Sequence, residues 1–551
     1  MSWLSTIRDF FARGHSTRGD ESGVFAGRPD NRRDIRAGYD LAQTHDENSR
    51  HFANADNLSA RAANSSGVRQ VMRIRSRYEA ANNAQMKRIL KAYTKDIIGT
   101  GPRLQLTTGH EAFDEFVTRH WKRWMDAVRY VRKLKVTLRG RVVNGESFRQ
   151  RITNPELATS VKLDIKPFEA DRCASPYENI ADPLRIDGID FDQYGNPTFY
   201  RVLDRHPGDL FGTSFEGRKI PAKFVTHWFD EEREEQLRGV PELHSATESM
   251  AHARRFRRAT VLTAESAAAV NGVLSTDVPA GTQATEFDPG PLDLDRNSWT
   301  VLPEGWKQDQ FDAKHPNDTY DSFNRSIATD AGGPLGMTSN VSTGDSSQYN
   351  FSSTRYDGEH WFGEVDCQRQ DCELLVIKPD FDAWFAEFIL TDDFAQWRAS
   401  EDASEEADDG PERVTVEAAI EATRSGDAVG WEWDGHPQLD QVKSATGSDM
   451  DIAAGRSSTE TETAAYGRNA RRELEKEAKY LGMDVEQFKR AMRIKRFGFD
   501  PTDPNAVAPG TAAKETGKET GKSAHPPEDE NNDPVPNKIR QRSAQPAGSR
   551  A

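Results

Sequence analysis

Several short stretches of this chain have spacings that invite a chemical reading, and each can be tested against what its chemistry requires. Residues 517–523, Gly-Lys-Glu-Thr-Gly-Lys-Ser, end like a phosphate-cradling loop. Such a loop needs four residues between its glycines and a strand before it, so that backbone N–H groups can wrap the phosphates. Here three residues separate Gly517 from Gly521, and no strand pattern precedes them. Gly212, Ser214 and Gly217 miss the nucleophile elbow, which allows one residue between serine and second glycine. Asp187, Asp190 and Asp192 ahead of Gly195 resemble the start of a calcium loop. Tyr194 stands where a ligand belongs, however, and no glutamate closes the loop, so hairpin carboxylates are the simpler reading. The histidines show no metal-ligand spacing. Cys367 and Cys372 are five apart with no second pair, and Cys173 is distant, which fits free thiols better than zinc or a disulfide framework. The expectation is no catalytic residue, no metal, no cofactor and no enzyme.

What remains is polar and neutral. Residues 332–352 form a loop of unusual length between two helical patterns, and such loops in compact domains tend to be functional. Asn340, Ser342, Thr343, Ser346, Ser347, Gln348, Asn350, Ser352 and Ser353 offer donors and acceptors, with no Lys or Arg between Gly332 and Thr354. The opposite chemistry sits at Arg69, Arg73, Arg75, Arg77, Lys87 and Arg88. These side chains could touch phosphates, but in an acidic chain a neighbour's acidic face is the expected partner. Glu231, Glu232, Glu234 and Glu235 read as a solvated charge run.

The elements that must position these groups follow from periodicity. Tyr78, Met86, Leu90, Tyr93 and Ile97 predict one helix over about 69–98, ended by Gly99 to Pro102. Phe113, Phe116, Val117, Trp121 and Trp124 mark a second helix. Leu134, Leu138 and Val142 continue to the Asn144-Gly145 turn. Val161, Leu163 and Ile165 then alternate as a strand, and residues 186–202 read as a β-hairpin around Asp192 to Pro197. Residues 241–269 form a helical rod of roughly 45 Å. Its basic half (His252, Arg254, Arg255, Arg257, Arg258) is expected to meet acidic residues of an adjacent subunit. Strand candidates lie at 272–274 and 299–302, and a shorter helix at 318–329. Ser352, Ser353 or Thr354 is the expected cap of a helix ending before Pro379. Phe381, Trp384, Phe385, Phe388 and Ile389 give another apolar face. An acidic linker precedes a helical C-terminal region with Tyr466, Ala470, Leu474 and Ala478 four apart. Residues beyond about 500 cannot bury enough to fold.

Composition narrows the class. The chain has 551 residues, enough for several domains, yet only 35% are hydrophobic, which fits polar ends and surface spent on neighbours. A net charge of -16 argues against tight wrapping of nucleic acid. No run approaches the ~20 apolar residues of a membrane span. Trp3, Leu4, Ile7, Phe10 and Phe11 share a helical face that reads as a docking helix rather than a signal peptide. An intracellular setting is expected.

Several stretches together resemble the lambda family of phage portal proteins. Arg75 and Arg77 followed by Asn82-Asn83, then Ile97 to Gly101, are similar to that family's first helix and its exit. Gly188 through Asp190, Asp192, Gly195, Pro197 and Tyr200 resemble its hairpin. Gly344-Asp345-Ser346 with Tyr349-Asn350-Phe351-Ser352-Ser353-Thr354-Arg355 is close to its Asp-Ser…Asn-Tyr-Ser-Ser-x-Arg signature. His436-Pro437, Asp440, Lys443, Gly455 and Tyr466-Gly467 continue in register. Met337-Thr338 and Gln441 depart from the family's usual Val-Pro and Pro.

The resemblance implies an α+β subunit with an α/β wing, helical stem, small β-containing clip and helical crown, assembled as a ring that is dodecameric in such portals. Mapped here, residues 1–29 are an N-terminal arm, 30–240 wing, 241–270 a stem helix, 271–312 clip and 313–331 a second stem helix. Residues 332–352 are the tunnel loop, 353–390 a long helix, 391–500 wing remainder and crown, and 501–551 a disordered tail. The implied function is to form the ring at one capsid vertex through which double-stranded DNA is packaged and ejected. Implied partners are the terminase large subunit, head-completion or adaptor proteins, major capsid or scaffold protein, and DNA held transiently and without sequence specificity. No membrane is implied; the setting is the virion, and host cytoplasm during assembly. The neutral loop suits a sliding duplex, since each neutralised phosphate would tighten binding by counterion release. Another minor head or connector protein is the alternative, with a packaging enzyme behind it.

Overall fold

The computed structural model describes residues 50–175, 184–210, 217–268, 272–276, 306–310, 320–405, 414–436, 441–468, 470–497, 500 and 502. The readings of the N-terminal helical face, the strand at 299–302, the near-phosphate loop at 517–523 and the tail therefore lie outside the described residues, as does most of 212–217.

The helix expected over 69–98 is two helices, α1 (Ser66–Asn82) and α2 (Ala84–Ile98). Asn83 breaks them. Its backbone is extended, and its side chain accepts the N–H groups of Gln85 (3.1 Å) and Met86 (3.5 Å). Its own amide donates to the carbonyl of Met250 at 3.0 Å. Asparagine is a modest helix former and a strong N-cap, so an apolar period that runs across it conceals the break. Tyr78, read as part of the buried face, is 54% exposed on α1.

Strand β1 (Arg103–Leu106) leads into α3 (Glu111–Ala127) and α4 (Tyr130–Asn144), whose apolar faces are buried as the spacing predicts. After Gly145 come β2 (Glu146–Thr153) and β3 (Leu163–Phe168). Strands β4 (Arg185–Ile186), β5 (Ile189–Phe191), β6 (Pro197–Leu203) and β7 (Gly217–Pro221) form a four-stranded antiparallel sheet. The hairpin is β5–β6, with Asp190 opposite Phe199 and a register shift at Phe191. Asp192 closes its turn by accepting N–H groups of Tyr194 and Asn196, both at 2.8 Å. Strand β8 (Val225–Phe229) completes a second sheet in the order β3-β2-β8.

The long rod is α5 (His244–Ala268), packed on α6 (Tyr320–Gly332) through Phe256 and Phe323, whose rings are 5.0 Å apart. Between them, β9 (Gly272–Thr276) pairs antiparallel with β10 (Trp306–Gln310). The sequence Trp-Lys-Gln-Asp-Gln of β10 has one apolar residue and no alternation, which is why periodicity passed over it. After α7 (Ser339–Thr343), α8 (Phe351–Cys372) runs through a π-helical turn at Glu373–Ile377 into α9 (Lys378–Phe388). Pro379 was expected to end this helix. It lies in the first turn of α9 instead, and the widened turn before it accommodates the missing N–H and the bulk of the ring. Then follow α10 (Asp392–Glu405), α11 (Val416–Ser425), β11 (Val429–Glu432), α12 (Gln441–Ala453), α13 (Thr459–Ala465), α14 (Ala470–Tyr480) and α15 (Val485–Phe497). Tyr466 lies beyond the end of α13 and is 41% exposed, so the four-residue spacing of Tyr466, Ala470, Leu474 and Ala478 is not one helix face.

Both halves of the chain build one core. The Trp121 ring lies 4.7 Å from Trp124, 5.1 Å from Trp384 and 5.2 Å from Phe381, joining α3 to α9. Strand β1 pairs with β11, setting Arg103 opposite Glu432. Each fully buried aromatic here contributes on the order of 2–3 kcal/mol of transfer free energy.

Charge is buried beside this core. Glu146 has no exposure and receives Arg73, Arg238 (2.6 Å), the His227 imidazole (2.9 Å) and the Gly239 N–H (3.1 Å). Burial alone would push its carboxyl up, but Arg238 and Arg73 hold it well below the usual range. Burial pushes His227 down. The basic segment is thereby corrected. Arg69 pairs with Asp187, Arg73 with Glu146, and Arg77 with Asp171 and Asn144 within the same chain. Arg75 and Lys87 stay exposed. On α5, Arg254 likewise pairs with Glu79 of its own chain (2.7 Å) and Arg257 with Asn324 (2.8 Å), while His252, Arg255 and Arg258 are exposed.

Candidate functional site

The segment from Gly332 to Arg355 is a short folded excursion, not a bare loop. A 3-10 turn at Gly333–Leu335 leaves α6, and Leu335 and Met337 anchor it in the core. Helix α7 then packs back on α6, with the Thr329 and Ser339 hydroxyls 2.8 Å apart. Gly332 is required by this packing, because a Cβ there would overlap Ser342. Ser342 itself has no exposure, and its hydroxyl donates to the Ser339 carbonyl at 3.0 Å. Its expected role as a residue facing outward is corrected: the side chain is packing inside the subunit.

Helix α2 supports this excursion from below. Gln85 donates to the Ser342 carbonyl at 2.8 Å, and the Arg88 guanidinium donates to the same carbonyl and to that of Val341 (3.4 Å). Burial lowers the Arg88 pKa. Gly344 turns with φ 65°, and a side chain there would strike the Arg88 guanidinium. Asp345 pairs with Arg325 of α6 and accepts the Ser347 N–H at 2.9 Å. That N–H, the Ser347 hydroxyl and Arg325 hold its carboxyl below the usual range.

At the far end Asn350 caps α8. Its side chain accepts the Ser353 N–H at 2.8 Å, and its own N–H donates to the Ser353 hydroxyl at 3.1 Å. The cap is thus Asn350 with Ser353 as its reciprocal partner, one turn earlier than the expected Ser352, Ser353 or Thr354. Between the two anchors, Ser346, Ser347 and Gln348 are exposed, as are Asn350, Phe351 and Ser352. Asn340, Thr343, Tyr349 and Ser353 are half-buried. Arg355 is exposed and paired with Glu359 at 2.8 Å.

The structure keeps the residues of 340–355 together and leaves Arg75, Arg77, Asn82 and Asn83 elsewhere, on α1 and at the cap of α2. Asn82 donates only to the Tyr78 carbonyl one turn back, at 2.9 Å. The residues that sequence reasoning missed are Gln85 and Arg325, and Arg88, read as meeting phosphates or a neighbour's acidic face, instead holds carbonyls of its own chain. Gln85 and Arg88 are three apart and share one helical face, a weak signal that says nothing of what the face meets. His436, from the C-terminal part of the resemblance, is 3.0 Å from Asp366 and stacks on Phe362, so it ties that region to α8.

The sequence profile of a family described as "Phage portal protein, lambda family" matches residues 48–359, more than half of the chain. The chain belongs to the lambda family of phage portal proteins. It is similar to the "Probable portal protein" of Halomonas phage phiHAP-1, with 27% identity over 188 residues, covering 32% of this chain and 35% of that protein. The match thus spans about a third of the relative's length. Among solved structures, similarity extends to the neck of an empty gene transfer agent particle computed with C6 symmetry, at 12% identity and a TM-score of 0.37, covering 71% of this chain and 92% of the other. A native gene transfer agent virion gives 13% identity, a TM-score of 0.35 and coverage of 72% and 92%.

Proposed function

We propose that this chain is a structural portal subunit, one copy in a dodecameric ring at a single capsid vertex through which duplex DNA enters and leaves. The supporting observation is the family match over residues 48–359, which begins before α1, crosses the rod and the excursion at 332–352, and ends inside α8. In this reading residues 30–240 are wing, α5 and α6 are stem, and the β9–β10 pair belongs to the clip that docks the terminase motor and head-completion proteins. No catalytic step is assigned to the subunit.

The excursion supplies the surface that would border the channel. Ser346, Ser347, Gln348, Asn350 and Ser352 present neutral groups outward. Of the cations around them, Arg88 is turned onto backbone carbonyls of α7, Arg325 is paired with Asp345, and Arg355 with Glu359. A duplex passing such a rim releases few counterions and is weakly held.

Negative-stain imaging with mass photometry of the purified full chain tests the assembly. Closed rings with a central hole, near a dodecamer in mass, are expected. A monomer or dimer that hydrolyses nucleotide would overturn the reading in favour of a packaging enzyme.

A further inference from the structure

Outside the excursion, the most unusual polar environment lies at the start of α1. A cavity of about 320 Å³ is lined by the turn from Ser59 to Ser66, by Arg69, by Ile186 and Asp187, and by Leu237 and Arg238. It sits at the N-terminus of a 17-residue helix whose N-cap, Ser65, makes no side-chain capping bond and whose first turn carries no acidic residue. The N–H groups of Ser66, Gly67 and Val68 are of the kind that have no partner within a helix, and they carry the positive end of its dipole.

A second, independent observation points to a ligand. Arg69 and Asn64 both line the cavity and are 3% and 8% exposed. Arg69 gives its terminal nitrogens to Asp187 and to the Asn64 carbonyl, but its Nε–H has no acceptor. Asn64 donates its amide to the Arg238 carbonyl at 2.7 Å, and its Oδ1 has no donor. Buried polar atoms of this kind are rarely left unmatched. Among the described residues Asp187 is the one carboxylate lining the cavity, with Arg69 and Arg238 on its walls, and Arg238 is already engaged by Glu146. Burial, with Arg238 close by, pushes the Arg69 guanidinium down to about 9.

We propose that this cavity binds a phosphate group that still carries a proton, either inorganic phosphate or a phosphomonoester. The backbone N–H groups of the first turn, the Ser65 and Ser66 hydroxyls and the Arg69 Nε–H supply donors for its oxygens. The orphaned Asn64 Oδ1, beside Asp187, takes the P–OH. That acceptor is what separates phosphate from sulfate, which has no proton to give at neutral pH, and from the diester backbone of DNA. The inference stands apart from the ring reading and survives its failure.

The test is calorimetric titration of the full-length chain, in a buffer free of multivalent anions, with inorganic phosphate, adenosine monophosphate, sulfate and a duplex oligonucleotide lacking terminal phosphates. Saturable binding of one phosphate per chain is expected, with sulfate weaker by about tenfold, the worth of one charge-assisted hydrogen bond. Adenosine monophosphate separates the two sources, binding as well as phosphate if the cavity admits a monoester and failing if only the free ion fits. Ser65→Asp should keep or raise Tm, since aspartate caps the helix itself, and should weaken phosphate by about tenfold or more. Gly67→Glu, whose side chain enters open space, should act the same way and serves if the first variant misfolds. Equal affinity for phosphate and sulfate, displacement of phosphate by the duplex, or unchanged binding in both variants would each overturn the proposal.

Discussion

At Glu146 one carboxylate without exposure gathers two guanidiniums, an imidazole and a backbone N–H. At the apex of the 332–352 excursion, Ser346, Ser347 and Gln348 face outward, and the one acid beside them, Asp345, is tied to a backbone N–H two residues on. The first arrangement joins α1, β2, β8 and the chain at 238–239, so its charges hold distant segments in register. The second is satisfied by its own backbone and by Arg325 of the adjoining helix α6, and ties no distant segments together. A polar group in the buried cluster is therefore expensive to alter, whereas one at the apex is open to change without cost to the fold.

The comparison is broken most severely at its buried end. Glu146→Gln leaves Arg73 and Arg238 facing a neutral amide in a closed site, and a loss of about 3–5 kcal/mol is expected from urea denaturation. A change below about 1 kcal/mol would mean that water reaches the cluster.

Acid should act on the same cluster in two stages. His227 has its pKa lowered from 6.5 in the folded chain, so the unfolded chain binds the proton more readily, and stability declines as pH falls below 6.5. Glu146 is held well below 4.5, so a further decline follows below that pH. Each unit of depression is worth about 1.4 kcal/mol. The urea midpoint followed from about pH 8 to about pH 2 reads this. The upper stage should vanish in His227→Asn, and a midpoint independent of pH would contradict both stages.

Smaller effects lie at the excursion. Asn350→Ala removes the reciprocal cap of α8 and should cost about 1 kcal/mol, measurable by the same denaturation. The double change Ser346→Lys with Ser347→Lys should shift stability by no more than about 0.5 kcal/mol. It should nevertheless slow or stall DNA packaging in a reconstituted system, because two new cations would grip the passing phosphates. Normal packaging by that variant would remove the channel role assigned to the apex.

Much of the scaffold was legible from periodicity. The faces of α3 and α9, the hairpin at 189–203 and the rod α5 all announce themselves in spacing, because burial along one face imposes it. What escaped has a common physical origin. The break at Asn83 and the cap at Asn350 depend on one side chain preferring backbone N–H groups to solvent. The passage through Pro379 depends on a π turn that only neighbouring packing can hold. The fates of Arg69, Arg73 and Arg88 depended on groups far along the chain: Asp187 for Arg69, Glu146 for Arg73, 73 positions away, and the carbonyls of α7 for Arg88, about 254 positions away. A polar loop of neutral residues was visible at 332–352, but not that Ser342 would be sealed within it.

The hydrogen bond from Thr100 to Asp434 spans 334 positions in the sequence, and the pairing of β1 with β11 lies beside it. A ribosome adding about 5–20 residues per second needs roughly 15–70 seconds to make the second half of that clasp after the first. For roughly 13–51 seconds of that interval Trp121 and Trp124 have been made while Phe381 and Trp384 have not. The aromatic face of α3 thus has no partner of its own chain to close on until α9 arrives.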